Sequence, residues 1–166
     1  MKKTLIVIDM QNDFIDGSLG TAEAVKIVPN VRKKIEEYRS NGDEIIFTRD
    51  THGEDYLSTP EGKKLPVVHC VKNTHGWQIA DGLDVPDAIH IDKPSFGYTH
   101  WDKFCFEKIE LAGLCTDICV VSNALILNAL FPYAEISVDS ACCAGVTPET
   151  HNSALATMKM CQIDVV

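Results

Sequence analysis

Thr4-Leu5-Ile6-Val7-Ile8 is an unbroken apolar run rich in β-branched residues, and it stops at Asp9. So short and uniformly apolar a run suits a strand covered on both faces, as in a parallel sheet. The Asp9 carboxylate then stands at the carboxyl end of that strand. The same run is far too short for a signal-peptide core or a membrane span, which predicts a cytoplasmic protein with no membrane partner.

Working outward, Val25 to Ser40 carries apolar residues at 28, 31, 35 and 38 among Lys, Arg and Glu. That is helical spacing, and Asn41-Gly42 is a stop signal. Further strands are expected at Glu44–Thr48, Ala88–Asp92, Ile109–Leu114, Ala134–Asp139 and Gln162–Val166, and further helices at Asp117–Phe131 and Pro148–Met160. Strands alternating with helices predict the α/β class: a doubly wound, three-layer αβα fold on a mostly parallel sheet of about six strands. Such folds bind ligands beyond the carboxyl ends of their strands. Asp9, Asp50, Lys93 and the segment from Cys115 to Cys119 all follow a predicted strand end, so they should converge on one cleft. Residues 49–87 form a long segment rich in Gly, Pro, Asp and His, and a loop of that length usually carries function.

The chain has 166 residues and 45% hydrophobic content, enough for a core, and no linker or repeat divides it, so one domain over residues 1–166 is expected. The net charge of −9 argues against a nucleic-acid partner. Seven cysteines, at 70, 105, 115, 119, 142, 143 and 161, show no CxxC spacing. In a reducing compartment most of them serve as small buried hydrophobes, and a reactive one must be identified by its surroundings.

Cys119 is the candidate. Gly113-Leu114-Cys115-Thr116-Asp117-Ile118-Cys119 reads as a strand running through Gly into a Thr/Asp cap and a helix start. A thiol there feels the positive end of the helix dipole, which lowers its pKa, and the free N–H groups nearby could hold an oxyanion. Asp9 as a base and Lys93 as a cation would complete a nucleophilic group. Each residue also has a plain structural reading: a core thiol, a turn-capping Asp and a solvated Lys.

Asp50-x-His52 with Glu61 and His69 adds two imidazoles and two carboxylates, donors that suit Zn, Mn or Fe in the divalent state, with Zn first. Loop histidines are also commonly just solvated.

Four ordered motifs run nearly the whole chain: Leu5-Ile6-Val7-Ile8-Asp9-Met10-Gln11-Asn12-Asp13-Phe14, Lys93-Pro94-Ser95-Phe96, Gly113 through Val120, and Asp139-Ser140-Ala141-Cys142 with His151 and Ala154-Leu155. With them the sequence resembles the isochorismatase-like cysteine hydrolases, the superfamily of nicotinamidases and related amidohydrolases. The resemblance implies a triad of Asp9, Lys93 and Cys119, and a cis peptide at Leu114-Cys115. It also implies an oxyanion hole from the N–H groups of Cys115 and Cys119, and a dimer or tetramer.

Nicotinamidases carry Asp-x-His and a later His-Cys, here His69-Cys70, as metal ligands, and the resemblance puts Asp50, His52, Glu61 and His69 in that role. Two departures stand out. Ser58 occupies the position where many nicotinamidases add another His, with Glu61 as the substitute ligand. Pro66 occupies the position of an aromatic wall residue, which leaves Phe14, Tyr98, Trp77 or Trp101 to face a ring. The segment Gly97 to Phe106 is also shorter than usual. The resemblance implies hydrolysis of a small-molecule amide, nicotinamide to nicotinate before other small amides such as ureido or carbamoyl compounds. Vinyl-ether hydrolysis ranks lower because it does not need the thiol. The alternative from another class is a non-catalytic module that binds metal or senses redox through its cysteines.

Overall fold

A computed structural model describes residues 2–166. The strands are β1 (Lys3–Ile8), β2 (Glu44–Asp50), β3 (Ile89–Lys93), β4 (Lys108–Leu114), β5 (Glu135–Ala144) and β6 (Asp164–Val165). The helices are the short α1 (Asn12–Ile15), α2 (Ala22–Asn41), α3 (Pro60–Lys64), α4 (Val121–Leu130) and α5 (Pro148–Met160). One six-stranded sheet runs in the order β3-β2-β1-β4-β5-β6 with every pairing parallel. Among the described residues no helix is long and apolar enough to cross a membrane.

The period of two along β1 divides the core into two layers. Leu5 and Val7 join α2 residues Ile27, Val31 and Ile35 on one face, while Ile6 and Ile8 join Val120, Ala124, Leu127 and Met158 on the other. Both sets are buried, so the uninterrupted apolar run of β1 is what two covered faces require.

The expected elements are all present, with shifted ends. Helix α2 starts earlier, at Ala22, because Thr21 caps it by accepting from the Ala24 N–H. Strand β2 runs on to Asp50 and β3 to Lys93, where Arg49 pairs with Asp92 across the two strands at 2.7 Å. Strand β5 continues past Asp139 to Ala144 because it bulges: Ala112 alone stands opposite residues 139–142. The helix expected from Asp117 is instead a wide π-helical turn, Thr116–Val120, followed by α4. The long segment is not bare loop either. It holds α3, and its residue Val71 bridges to His52 beside β2.

Two glycines fix close approaches. Gly113 has φ +125°, and a Cβ there would lie 2.0 Å from the Ile8 carbonyl oxygen; at Gly62 it would lie 2.0 Å from that of Tyr56. The first lets β4 reach the turn that carries Cys119, and the second seats α3 against the 56–58 turn. Gly113→Ala combines backbone strain with a clash against backbone, so it should cost at least ~3 kcal/mol. Urea unfolding followed by circular dichroism measures this; a loss below about 1 kcal/mol would mean β1 and β4 can separate freely there.

Candidate active site

Three buried groups meet past the strand ends. Asp9 follows β1, Lys93 ends β3, and Cys119 lies in the π turn after β4. Lys93 Nζ is 2.6 Å from Asp9 Oδ2 and 3.7 Å from Asp50 Oδ1. It also donates to the Ser95 carbonyl at 3.2 Å and faces Cys119 Sγ at 3.5 Å. The ammonium thus donates to the carbonyl and faces the thiol, and its contact with Asp9 is an ion pair, since Asp9 Oδ2 has no hydrogen-bond partner among the described residues. The other Asp9 oxygen accepts from the Thr48 hydroxyl at 2.7 Å. Asp9 has φ +46°, a left-handed conformation rare outside glycine, held by its N–H donating to the Thr48 carbonyl at 3.2 Å.

The expected lowering of the Cys119 pKa is overturned. Burial and the Asp9 carboxylate push the thiol well above its ordinary range, with Lys93 pulling the other way. A helix dipole lowers a thiol at a partly exposed helix start, and this thiol is instead almost fully enclosed. Burial also raises Asp9, against the charge of Lys93, and Lys93 itself is kept charged by Asp9 despite its burial.

The peptide bond Leu114-Cys115 is cis. Among the described residues the Cys115 N–H has no backbone acceptor. Cys115 and Cys119 both line a cavity of ≈ 340 Å³ with Phe14, Leu19, Asp50, Pro60, Glu61, Lys64, Leu65, His69, Phe96 and Ile118. Phe14 thus lines the cavity. Tyr98 does not: its ring packs edge-on against Trp101, centroids 5.0 Å apart, and Phe96 lines the wall instead. Trp101 is fully buried, and Trp77 lies under the Arg49 guanidinium, so neither forms the wall.

Asp50, His52, Glu61 and His69 come together, with one donor atom from each lying within 4.8 Å of the others. Ser58 is exposed and outside this group. Asp50 Oδ2 is 2.9 Å from His52 Nε2 and 3.5 Å from His69 Nε2. Glu61 Oε1 is 3.7 Å and 3.8 Å from the same two nitrogens. His69 Nδ1 donates to the Val67 carbonyl at 2.7 Å, so Nε2 is the ring nitrogen turned inward toward Asp50 and Glu61. Buried Asp50 Oδ1 has no hydrogen-bond partner among the described residues. Hydrogen bonds from the histidines and the charge of Lys93 overcome burial and hold Asp50 well below the usual carboxylate range. Burial and Asp50 push Glu61 up. Two carboxylates crowded with two correctly turned imidazoles fit a divalent cation.

Residues without an expected role hold these groups in place. Gln11 accepts from the Asp50 N–H at 2.7 Å and donates to the Asp50 and Trp77 carbonyls. Thr48 orients Asp9, and buried Asn123 bonds the Cys119 carbonyl. The one available signal was a polar residue inside or beside an apolar run.

The Isochorismatase domain family matches residues 3–166. A probable inactive nicotinamidase of Arabidopsis thaliana is 32% identical over 177 residues, covering 93% of this chain and 87% of that protein. The nicotinamidase of Schizosaccharomyces pombe is 28% identical over an alignment of 209 residues, covering 98% and 91%. The crystal structure of the pyrazinamidase of Pyrococcus horikoshii in complex with zinc superposes with a TM-score of 0.85 at 29% identity, covering 100% of this chain and 99% of that one.

Because Lys93 is the nearby cation that favours the thiolate, its removal leaves only groups that raise the thiol. Lys93→Met should move the pH profile of iodoacetamide labelling at Cys119 to higher pH, read by peptide mass spectrometry on protein shown to be folded. An unmoved profile would leave Lys93 without a part in thiolate formation.

Proposed function

We propose that this chain, which belongs to the isochorismatase domain family, is a cysteine amidohydrolase that deamidates a small amide, nicotinamide to nicotinate and ammonia being the first reaction to test. The observation that carries this reading is the buried set of Cys119, Asp9 and Lys93 at a largely apolar cavity whose wall bears metal-ligating groups. The names of the fission-yeast relative and the archaeal structural neighbour support the amide class. The name of the plant relative makes ammonia release itself the first measurement.

Asp9 takes the proton of the Cys119 thiol, and the thiolate attacks the amide carbonyl carbon. The developing oxyanion is received by the N–H groups of Cys115 and Cys119. When the tetrahedral intermediate collapses, Asp9 returns the proton to the departing nitrogen, which leaves as ammonia. Asp9 then removes a proton from water, which attacks the thioester and releases the acid and the free thiol. Lys93 keeps a positive charge beside whichever of Asp9 and Cys119 is anionic. Thr48 holds the Asp9 carboxylate at its angle.

Asp50, His52, Glu61 and His69 would hold a divalent metal, zinc first, and a bound metal supplies a Lewis acid that can take a pyridine nitrogen. Phe14 and Phe96 would flank a ring. One observation favours a ureido or carbamoyl substrate as the second reading: among the described residues no Tyr or Trp joins these two phenylalanines in the lining. A cytoplasmic dimer or tetramer is the setting this reading expects.

Two outcomes are expected. Cys119→Ala should abolish ammonia release while leaving the circular dichroism spectrum intact; retained turnover would end the covalent mechanism. Metal analysis of purified protein should find about one divalent transition metal per chain, and chelation or His52→Ala should raise KM for nicotinamide more than for an aliphatic amide. Equal losses on both substrates would give the metal a role in the water step or the fold instead.

A further inference from the structure

Asn123 sits inside α4, a position for which asparagine is a poor helix former. It has no exposed surface, and its side chain makes four hydrogen bonds. Oδ1 accepts from the Tyr98 N–H at 2.9 Å and from Trp101 Nε1–H at 3.0 Å. Nδ2 donates to the Phe96 carbonyl at 3.1 Å and to the Cys119 carbonyl at 2.8 Å. Both donors facing Oδ1 are N–H groups and both acceptors facing Nδ2 are carbonyls, so the amide can sit only one way round.

Three of the four partners lie in residues 96–101, the segment that leaves β3 just after Lys93 and carries Phe96 into the cavity wall. The fourth is the backbone of Cys119. We infer that Asn123 is a positioning residue that locks the nucleophile turn to the substrate wall, setting both where Sγ stands against Lys93 and where Phe96 stands against the substrate. It touches neither the substrate nor the reacting atoms. The substrate half of this inference rests on the amidohydrolase reading; the thiol half does not.

Two substitutions separate the ties. Asn123→Asp keeps the acceptor for Tyr98 and Trp101 but turns an oxygen toward both carbonyls, breaking both donor bonds. Asn123→Thr keeps a hydroxyl able to bond the Cys119 carbonyl four residues back, as Thr does in helices, and loses the ties to Phe96, Tyr98 and Trp101 in the wall segment. Val31→Ala, which hollows the core under α2 on the opposite face of the sheet, is the control for lost stability.

The expected results are a shifted pH profile of iodoacetamide labelling at Cys119 and about a tenfold fall in kcat for Asn123→Asp. For Asn123→Thr the labelling profile should match wild type, and KM should rise severalfold for nicotinamide but not for an aliphatic amide. Val31→Ala should move none of these. The labelling is read without substrate, so it survives if the protein proves not to be an amidase, and Asn123→Thr carries the comparison if the Asp variant does not fold. The inference is overturned if the Asn123 variants differ from Val31→Ala only in melting temperature, or if Asn123→Thr affects both amides equally.

Discussion

Lys93 and Asp9 are fully buried opposite charges 2.6 Å apart, and they lie on strands that are not neighbours, since β2 runs between β1 and β3. Burying two charges costs several kcal/mol per ion unless their geometry is good and their remaining bonding capacity is met. Both conditions depend on the register of three strands. Ile8 pairs with Thr48 and Asp50 with Lys93, and this alignment brings the Thr48 hydroxyl to Asp9 and Lys93 across the end of β2. A one-residue slip of β2 would turn Thr48 and Asp50 to the other face and leave the pair unsatisfied. The ion pair therefore selects the register, and the register assembles the cavity floor.

Asp50 joins this centre to the cluster on the wall. One of its oxygens faces Lys93 at 3.7 Å, while the other faces both histidines. Glu61 brings a further, half-buried carboxylate to the same point, so Asp9, Asp50 and Glu61 gather about Lys93, the fully buried cation of the site. Such an excess of buried negative charge is tolerated where a cation can enter or a proton can be retained. The rise in Glu61 and the unpartnered oxygen of Asp50 are two expressions of that imbalance.

The parts of this arrangement legible in the sequence are those whose signal is local. A strand buried on both faces must be apolar at every position, so β1 and the core of β2 stood out. The ends of β2, β3 and β5 did not: Arg49, Asp50 and Lys93 are charged residues whose partners lie on other elements, and β5 runs on past Asp139 through a bulge. Cys119 was legible as a nucleophile candidate from Gly113 and Thr116, but its protonation state was misjudged, since enclosure by distant segments outweighs the turn's own dipole. Phe96 takes the wall place expected of Tyr98 for the same kind of reason: Trp101 and Asn123 hold Tyr98 away from the cavity. Gln11, Thr48 and Asn123 bond mainly to backbone groups, which leave no mark in a side-chain pattern.

A raised thiol pKa need not hinder a thiol nucleophile in this setting. Asp9 and Cys119 both lie against Lys93 in one buried group, so a proton can pass within it between a thiol and a carboxylate. Moving that proton from Cys119 to Asp9 transfers the negative charge from one neighbour of Lys93 to another and leaves the net buried charge unchanged. The desolvation that raises the thiol also raises Asp9, so most of the penalty cancels in the difference between them. What sets the cost of forming the thiolate is the relative placement of the two anions about the ammonium, at 2.6 Å from Asp9 and 3.5 Å from the sulfur. Small shifts of the Cys119 turn therefore weigh more on reactivity than the absolute acidity of the thiol, because each tenth of an ångström changes a Coulomb attraction that little water screens.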